Sequence, residues 1–240
     1  MSITVAAVGD IHVGAGMQGV MGTSLASAVA HADLLLVAGD LTRSGSLEEA
    51  RLVVDELANV ALPRIAVLGN HDLHCDLGDE VTAILEAGGI TVLDRSSTVV
   101  DIDGVRVGIA GAIGFGGGFD GATASNFGER EMKAFMQRAE REAGGLADAL
   151  AALDCPIKIA LTHYAPIAAT LLGERLEIYP FLGSELLGQA IDRGEAVLAV
   201  HGHAHHGVEM GATPGGVPVR NVALPVIGRP YCVITLDGAQ

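Results

Sequence analysis

Seven side chains in this sequence are of the kinds that bind borderline metal ions: Asp10, His12, Asp40, Asn70, His163, His203 and His205. Carboxylates, imidazoles and one amide oxygen, without a thiolate, suit Zn²⁺, Mn²⁺ or iron. Seven donors are too many for one tetrahedral ion. They serve two ions, with four protein contacts each, if Asp40 is shared between them. Ions roughly 3.5–4 Å apart can hold a bridging hydroxide as nucleophile and clamp the oxygens of an attacked phosphoryl group. Such a hydroxide forms near neutral pH, because coordination lowers the pKa of bound water to about 7.

These residues are spread from position 10 to position 205, so the fold must gather them. Each follows an apolar run. Ile3 to Val8 leads into Asp10 and His12, Leu34 to Ala38 into Asp40, and Ile65 to Leu68 into Asn70. Ile157 to Leu161 leads into His163, and Val197 to Val200 into His203 and His205. Apolar runs of four to seven residues read as strands buried on both faces. In an open α/β sheet ligands collect beyond the carboxyl ends of the strands. Five strand ends are therefore expected to meet at one place.

The segments between are expected to be helical. Ser46 to Glu49 reads as a capping box opening a helix to about Asn59. Asp79 to Ala87 is a second helix, closed by Gly88 and Gly89. A third runs from about Gly128 to Glu142, with Gly144 and Gly145 interrupting it before Leu146 to Leu153. Gly183 to Arg193 suits a fourth, and Gln18 to Ala32 is a weaker helical segment. Asp103-Gly104 is a two-residue turn between Thr98–Ile102 and Val105–Ile109. Val217 to Val222 and Tyr231 to Leu236 read as closing strands, which makes the sheet mixed. With no linker or repeat, residues 1–240 read as one domain.

Net charge is −15, from 29 acidic and 14 basic side chains, which disfavours long nucleic acid as a partner. A small phosphorylated substrate remains compatible, because two divalent ions add about +4 locally. No run reaches the roughly 18–20 apolar residues of a membrane span. No basic residue precedes Ile3, so the start reads as a strand and not a signal peptide. Three scattered cysteines, Cys75, Cys155 and Cys232, fit a reduced cytoplasmic setting.

In its motifs the chain resembles the calcineurin-like metallophosphoesterases. Asp10-Ile11-His12, Gly39-Asp40, Gly69-Asn70-His71-Asp72, His163 and Gly202-His203-Ala204-His205 stand in that family's order. The resemblance implies a four-layer α-β-β-α sandwich with mixed sheets and a binuclear Mn, Fe or Zn site at the strand ends. By analogy, one ion takes Asp10, His12, Asp40 and His205, and the other Asp40, Asn70, His163 and His203. His71 is then the catalytic residue facing substrate, with Asn70 and Arg43 as candidate substrate contacts. Many relatives carry an Asp three residues after the bridging Asp; here that position is Arg43. The motif form is most similar to small bacterial phosphodiesterases of the class III type, and less to protein Ser/Thr phosphatases.

The expected function is hydrolysis of a small phosphodiester, a nucleotide among the candidates. The alternatives are a phosphomonoesterase of a small metabolite, a non-catalytic scaffold and a nuclease. A homo-oligomer is left open. Of the other histidines, His31 reads as a surface or capping residue, His74 as loop packing, His201 as a support for the metal hairpin and His206 as pocket rim. Gly114 to Phe119 reads as a flexible loop at the site mouth rather than a phosphate cradle. Tyr164 to Phe181, with Arg175 and Tyr179, reads equally as a substrate wall or a packing loop. Cys75 is expected to be buried and inert.

Overall fold

A computed structural model of the chain describes residues 2–17, 19 and 21–237. The strands in chain order are β1 Ser2–Val8, β2 Leu34–Ala38, β3 Arg64–Val67, β4 Thr91–Val92, β5 Ser96–Ile102, β6 Val105–Ala112, β7 Gly118–Phe119, β8 Ala122–Thr123, β9 Ile157–Thr162, β10 Leu198–His201, β11 Met210–Ala212, β12 Pro218–Asn221 and β13 Cys232–Asp237. One sheet has the order β13-β1-β2-β3-β4, and β13 is its antiparallel member. The other has the order β11-β12-β10-β9-β6-β5, parallel from β12 to β6 and antiparallel at both edges. The two closing strands thus finish different sheets, β12 the second and β13 the first.

Alternation along the buried strands builds the layers. Ile3, Val5 and Ala7 of β1, with Leu34, Leu36 and Ala38 of β2, meet Ile109, Ile159, Leu161 and Val200 of the other sheet. The opposite face of β1 and β2, with Ala6, Val8, Leu35 and Val37, packs under helices. These are α1 Gly22–Ala26, α2 Leu47–Leu57 and α3 Gly78–Ala87. The outer face of the second sheet is covered by α4 Arg130–Ala151 and, beyond the short α5 Tyr179–Leu182, by α6 Glu185–Arg193. A last short helix, α7, spans Leu224–Ile227. The arrangement is the four-layer sandwich with mixed sheets. Among the described residues, no helix is long and apolar enough to cross a membrane.

Several expectations change in detail. Ser46 does cap α2, its hydroxyl accepting from Glu49 N at 3.2 Å. The other half of the box is absent, because the Glu49 carboxylate instead accepts from Ser44 N and Oγ, both at 2.8 Å. Within Gln18 to Ala32 the helix is only Gly22–Ala26, continued by a 3-10 turn at Ser27–Ala30; Gln18 and Val20 lie outside the described residues. The hairpin turn holds as expected, with positive φ at both Asp103 and Gly104.

Gly144 and Gly145 do not interrupt α4, which runs unbroken through them. Burial of Ala143, Leu146, Ala149 and Leu150 on one stripe outweighs the glycines' helix cost. A Cβ on Gly145 would lie 2.5 Å from Cγ of Arg95, so this glycine admits a close crossing. A Cβ on Gly144 would meet nothing within 4 Å. Gly144→Ala is therefore expected to raise unfolding free energy by about 0.5–1 kcal/mol, and Gly145→Ala to lower stability. Paired urea melts check this, and equal effects of the two substitutions would refute it.

Candidate metal centre

Both sheets send their parallel strand ends to the same edge. Backbone bonds stitch the loops there: Asp10 N donates to Gly39 O and His12 N to Asp40 O, each at 3.0 Å, and Gly202 N donates to His163 O at 3.1 Å. The carboxylates tie further loops. Asp10 accepts from His203 N at 2.9 Å, and Asp40 Oδ1 accepts from His71 N at 2.8 Å. Asp10, His12, Asp40 and His203 all have positive φ, between 44° and 70°. Such geometry costs a non-glycine residue about 1–3 kcal/mol, and its concentration here marks a site that the surrounding packing holds. Glycines preceding the ligands permit the crowding: a Cβ on Gly69 would fall 2.1 Å from Asp40 Oδ1.

The donors form three clusters, each with ligand atoms within 4.8 Å of one another: Asp10, His12 and His205; His12, Asp40 and His71; and Asp40, His163 and His203. Asp40 lies between the flanks. Its Oδ2 is 3.8 Å from His12 Nε2, and its Oδ1 is 3.3 Å from His163 Nε2. Asn70 Oδ1 is 2.9 Å from His163 Nε2, on the second flank. All seven candidate ligands and His71 are thus brought to one edge. Two buried carboxylates, five imidazoles and an amide oxygen converge there, a donor set that fits divalent cations.

Outer contacts orient the rings. A carbonyl only accepts, so His163 Nδ1 donates to Ala38 O at 2.9 Å and turns Nε2 towards Asp40. By the same logic His203 Nε2 donates to Phe181 O at 3.3 Å, leaving Nδ1 as the lone pair. Burial holds the His203 pKa down to about 3, so the ring stays neutral, as a ligand must be. Burial also pushes Asp10 up, but the His205 hydrogen bond and the His163 and His205 charges outweigh it and leave Asp10 lowered. His205 is raised by that same bond, Nε2 to Asp10 Oδ1 at 2.8 Å.

His71 is half-exposed at the mouth. Its Nδ1 donates to the backbone carbonyl of Arg43 at 2.7 Å, and its Nε2 is 4.0 Å from Asp40 Oδ2. A main-chain oxygen thus orients His71, at the position where the sequence carries Arg43. The Arg43 side chain is exposed and packs near Gly14. His201 is wholly buried and held neutral, its pKa pushed down to about 4; Nδ1 bonds Gly202 O and Nε2 meets Thr170 Oγ1. That matches its expected supporting role. His31 and His74 are exposed, and His206 is an exposed residue whose N–H donates to Glu174. Cys75 is exposed, contrary to the expectation of burial.

The Gly114–Phe119 loop is pinned rather than flexible. Gly114 N donates to the buried Glu142 carboxylate, Gly117 N to Pro180 O and Gly118 N to Gly183 O. Those N–H groups are occupied by protein, and Phe119 packs into a small separate core with Leu171, Tyr179 and Leu182. Tyr179 is therefore packing, its hydroxyl donating to Leu171 O at 3.0 Å.

One residue that appears in the sequence only as a motif letter is a brace. Asp72 is fully buried and accepts from Gly69 N, Thr42 N, Thr42 Oγ1 and Leu41 N at 2.6–3.2 Å. It joins the loop carrying Asp40 to the loop carrying Asn70. Burial raises its pKa, against the opposing Thr42 hydrogen bond. Its position, directly after Asn70-His71, was the only available signal.

Two face-packed sheets that deliver carboxylates and imidazoles to one edge define a metal-dependent phosphoesterase. The sequence matches the calcineurin-like phosphoesterases over residues 3–207, and the chain belongs to that family. No curated protein sequence matches the chain. Among solved structures the fold is similar to phosphopantetheinyl hydrolase from Mycobacterium tuberculosis, at 17% identity over 94% of this chain and 90% of that one, TM-score 0.68. It is also similar to GAP50, the anchor in the inner membrane complex of Plasmodium, at 12% identity over 93% of this chain and 72% of that one, TM-score 0.56.

Asp72→Ala leaves four buried donors without their acceptor and is expected to cost about 2–4 kcal/mol in urea unfolding of the metal-free protein. A loss below about 1 kcal/mol would show that the two loops hold themselves.

Proposed function

We propose that this phosphoesterase hydrolyses a small phosphodiester, with Asp10, His12, Asp40 and His205 holding one cation and Asp40, Asn70, His163 and His203 the other. The observation that carries the reading is the placement of Asp40, one oxygen toward His12 and the other toward His163. Bound cations there, of Mn, Fe or Zn type, would supply positive charge that polarises the phosphoryl group and acidifies water. The chain's own groups do the remaining work. Asp40 and Asp10 set the spacing of the two flanks through their backbone-anchored carboxylates. Arg43 O holds His71 by Nδ1–H, so Nε2 faces the site, and the imidazolium form of the ring would deliver its Nε2 proton to the departing oxygen and return to the neutral Nδ1–H tautomer. Asn70 is the nearer candidate for a phosphate contact, and Arg43, whose side chain is exposed beside Gly14, is the second candidate.

A small substrate is supported by the net charge of −15, which repels long polyanions. The nucleotidyl and phosphopantetheinyl classes both meet this description, the second being the named substrate class of the M. tuberculosis protein of similar fold. The free thiols agree with a reduced cytoplasmic compartment. A phosphomonoester of a small metabolite is the second reading, favoured by the exposure of His71 to a solvent-facing mouth. A catalytically silent scaffold is disfavoured by the full donor set and by His71.

Bis(4-nitrophenyl) phosphate and 4-nitrophenyl phosphate, assayed with Mn²⁺, Fe²⁺ and Zn²⁺, are expected to reveal turnover that Asp40→Ala and His163→Ala reduce to background. His71→Ala should slow an alkyl ester by about 10²-fold or more and the 4-nitrophenyl ester far less, since only the poor leaving group needs a proton. Absence of turnover with every metal, or near-wild-type rates in Asp40→Ala, would refute the assignment.

A further inference from the structure

The chain has five Phe and three Tyr, and half of these eight rings form one connected series that begins beside His203. Tyr164 lies 4.4 Å from the His203 ring, Phe115 5.8 Å from Tyr164, Phe135 4.9 Å from Phe115, and Phe181 6.0 Å from Phe135. The Phe181 carbonyl returns to His203 Nε2. The four rings therefore run as an arc from beside His203 to Phe181, whose main chain, not its ring, returns to that candidate ligand.

The arc is built rigidly. Arg138 places its guanidinium 4.3 Å over the Phe115 ring, while the neighbouring Glu142 is engaged with Arg95 and Gly114 N. A Cβ on Gly116 would lie 2.8 Å from the Phe135 ring and 2.4 Å from Pro180 O, so the glycine loop lets Phe135 and the Phe181 segment close on it. Ala165 and Gly183 pair at the base of the excursion that presents Phe181, with Ala165 N donating to Leu182 O.

Core packing explains Tyr164, which is 8% exposed, but not Phe181, which keeps 59% of its surface in water next to a half-buried Phe135. Leu172 and Leu176 of the same excursion are 60% and 70% exposed. A braced, solvent-facing aromatic wall adjoining a site for phosphoesters is a stacking surface.

We propose that Phe181 and Phe135, backed by Phe115 and Tyr164, form the subsite for the esterifying group of the substrate, and that this group is a planar aromatic body. The proposal rests on the phosphoester reading above and narrows its substrate class. Phe181 is the specificity-determining contact; Arg138 is a positioning residue that acts through Phe115.

The test is calorimetric binding of non-hydrolysable methylphosphonate and phenylphosphonate to the metal-loaded protein. Wild type should bind phenylphosphonate about tenfold more tightly than methylphosphonate. Phe181→Ala should bring the two within about twofold of each other by weakening phenylphosphonate binding more than methylphosphonate binding, and Phe181→Tyr should restore the preference. Phe135→Ala should reduce it independently. Retention of the preference in both alanine variants, or equal binding of both ligands by wild type, would overturn the subsite alone. Failure of wild type to bind methylphosphonate would overturn the phosphoester site, and the subsite with it.

Discussion

Asp40 is a carboxylate 1% exposed to solvent, set between two groups of imidazoles, and much of the architecture follows from keeping it there. A buried carboxylate is costly unless hydrogen-bonded or balanced by positive charge. Oδ1 accepts from His71 N, and the loops on either side are locked by the Asp72 carboxylate. The left-handed backbone at Asp40 aims its side chain across the sheet edge, and Gly69 leaves the room into which it points. Each of these features is locally unfavourable or uncommon. Together they hold the Asp40 carboxylate in a hydrogen-bonded position between the two flanks.

The sandwich supplies what a single sheet does not. Asp10, Asp40 and Asn70 leave the ends of β1, β2 and β3 in one sheet, and His163, His203 and His205 follow β9 and β10 in the other. Face-to-face packing of Val5, Leu36 and Ile65 against Ile109, Ile159 and Val200 brings those ends together. Carboxylates come from one layer and most imidazoles from the other, so relative displacement of the sheets would pull the donor set apart. The apolar middle layer is thereby as much a part of the site as the ligands.

Strand ends were legible in the amino-acid sequence because strands buried on both faces write continuous apolar runs, and each run stops at a donor. The Asp103-Gly104 turn was legible for the same local reason. Where tertiary contact decides, the reading fell short. Gly144 and Gly145 look like a helix break until the crossing of Arg95 is known, and Gly114 to Phe119 looks mobile until its N–H groups are traced to Pro180 and Gly183. Glu49 serves Ser44 and not the helix start, a choice between nearby partners that no spacing rule makes. The Asp72 brace and the arc from Tyr164 to Phe181 are products of long-range packing. Neither the fold of the Tyr164–Phe181 segment nor the carbonyl that orients His71 is encoded as a side-chain pattern.

Anomalous diffraction from crystals of the metal-loaded protein, collected at the Mn, Fe and Zn absorption edges, addresses the shared carboxylate most directly. Two peaks about 3.5–4 Å apart are expected, one within coordination distance of each Asp40 oxygen, with Asp10, His12 and His205 around the first and Asn70, His163 and His203 around the second. A single peak, or two peaks of which only one touches Asp40, would contradict the account.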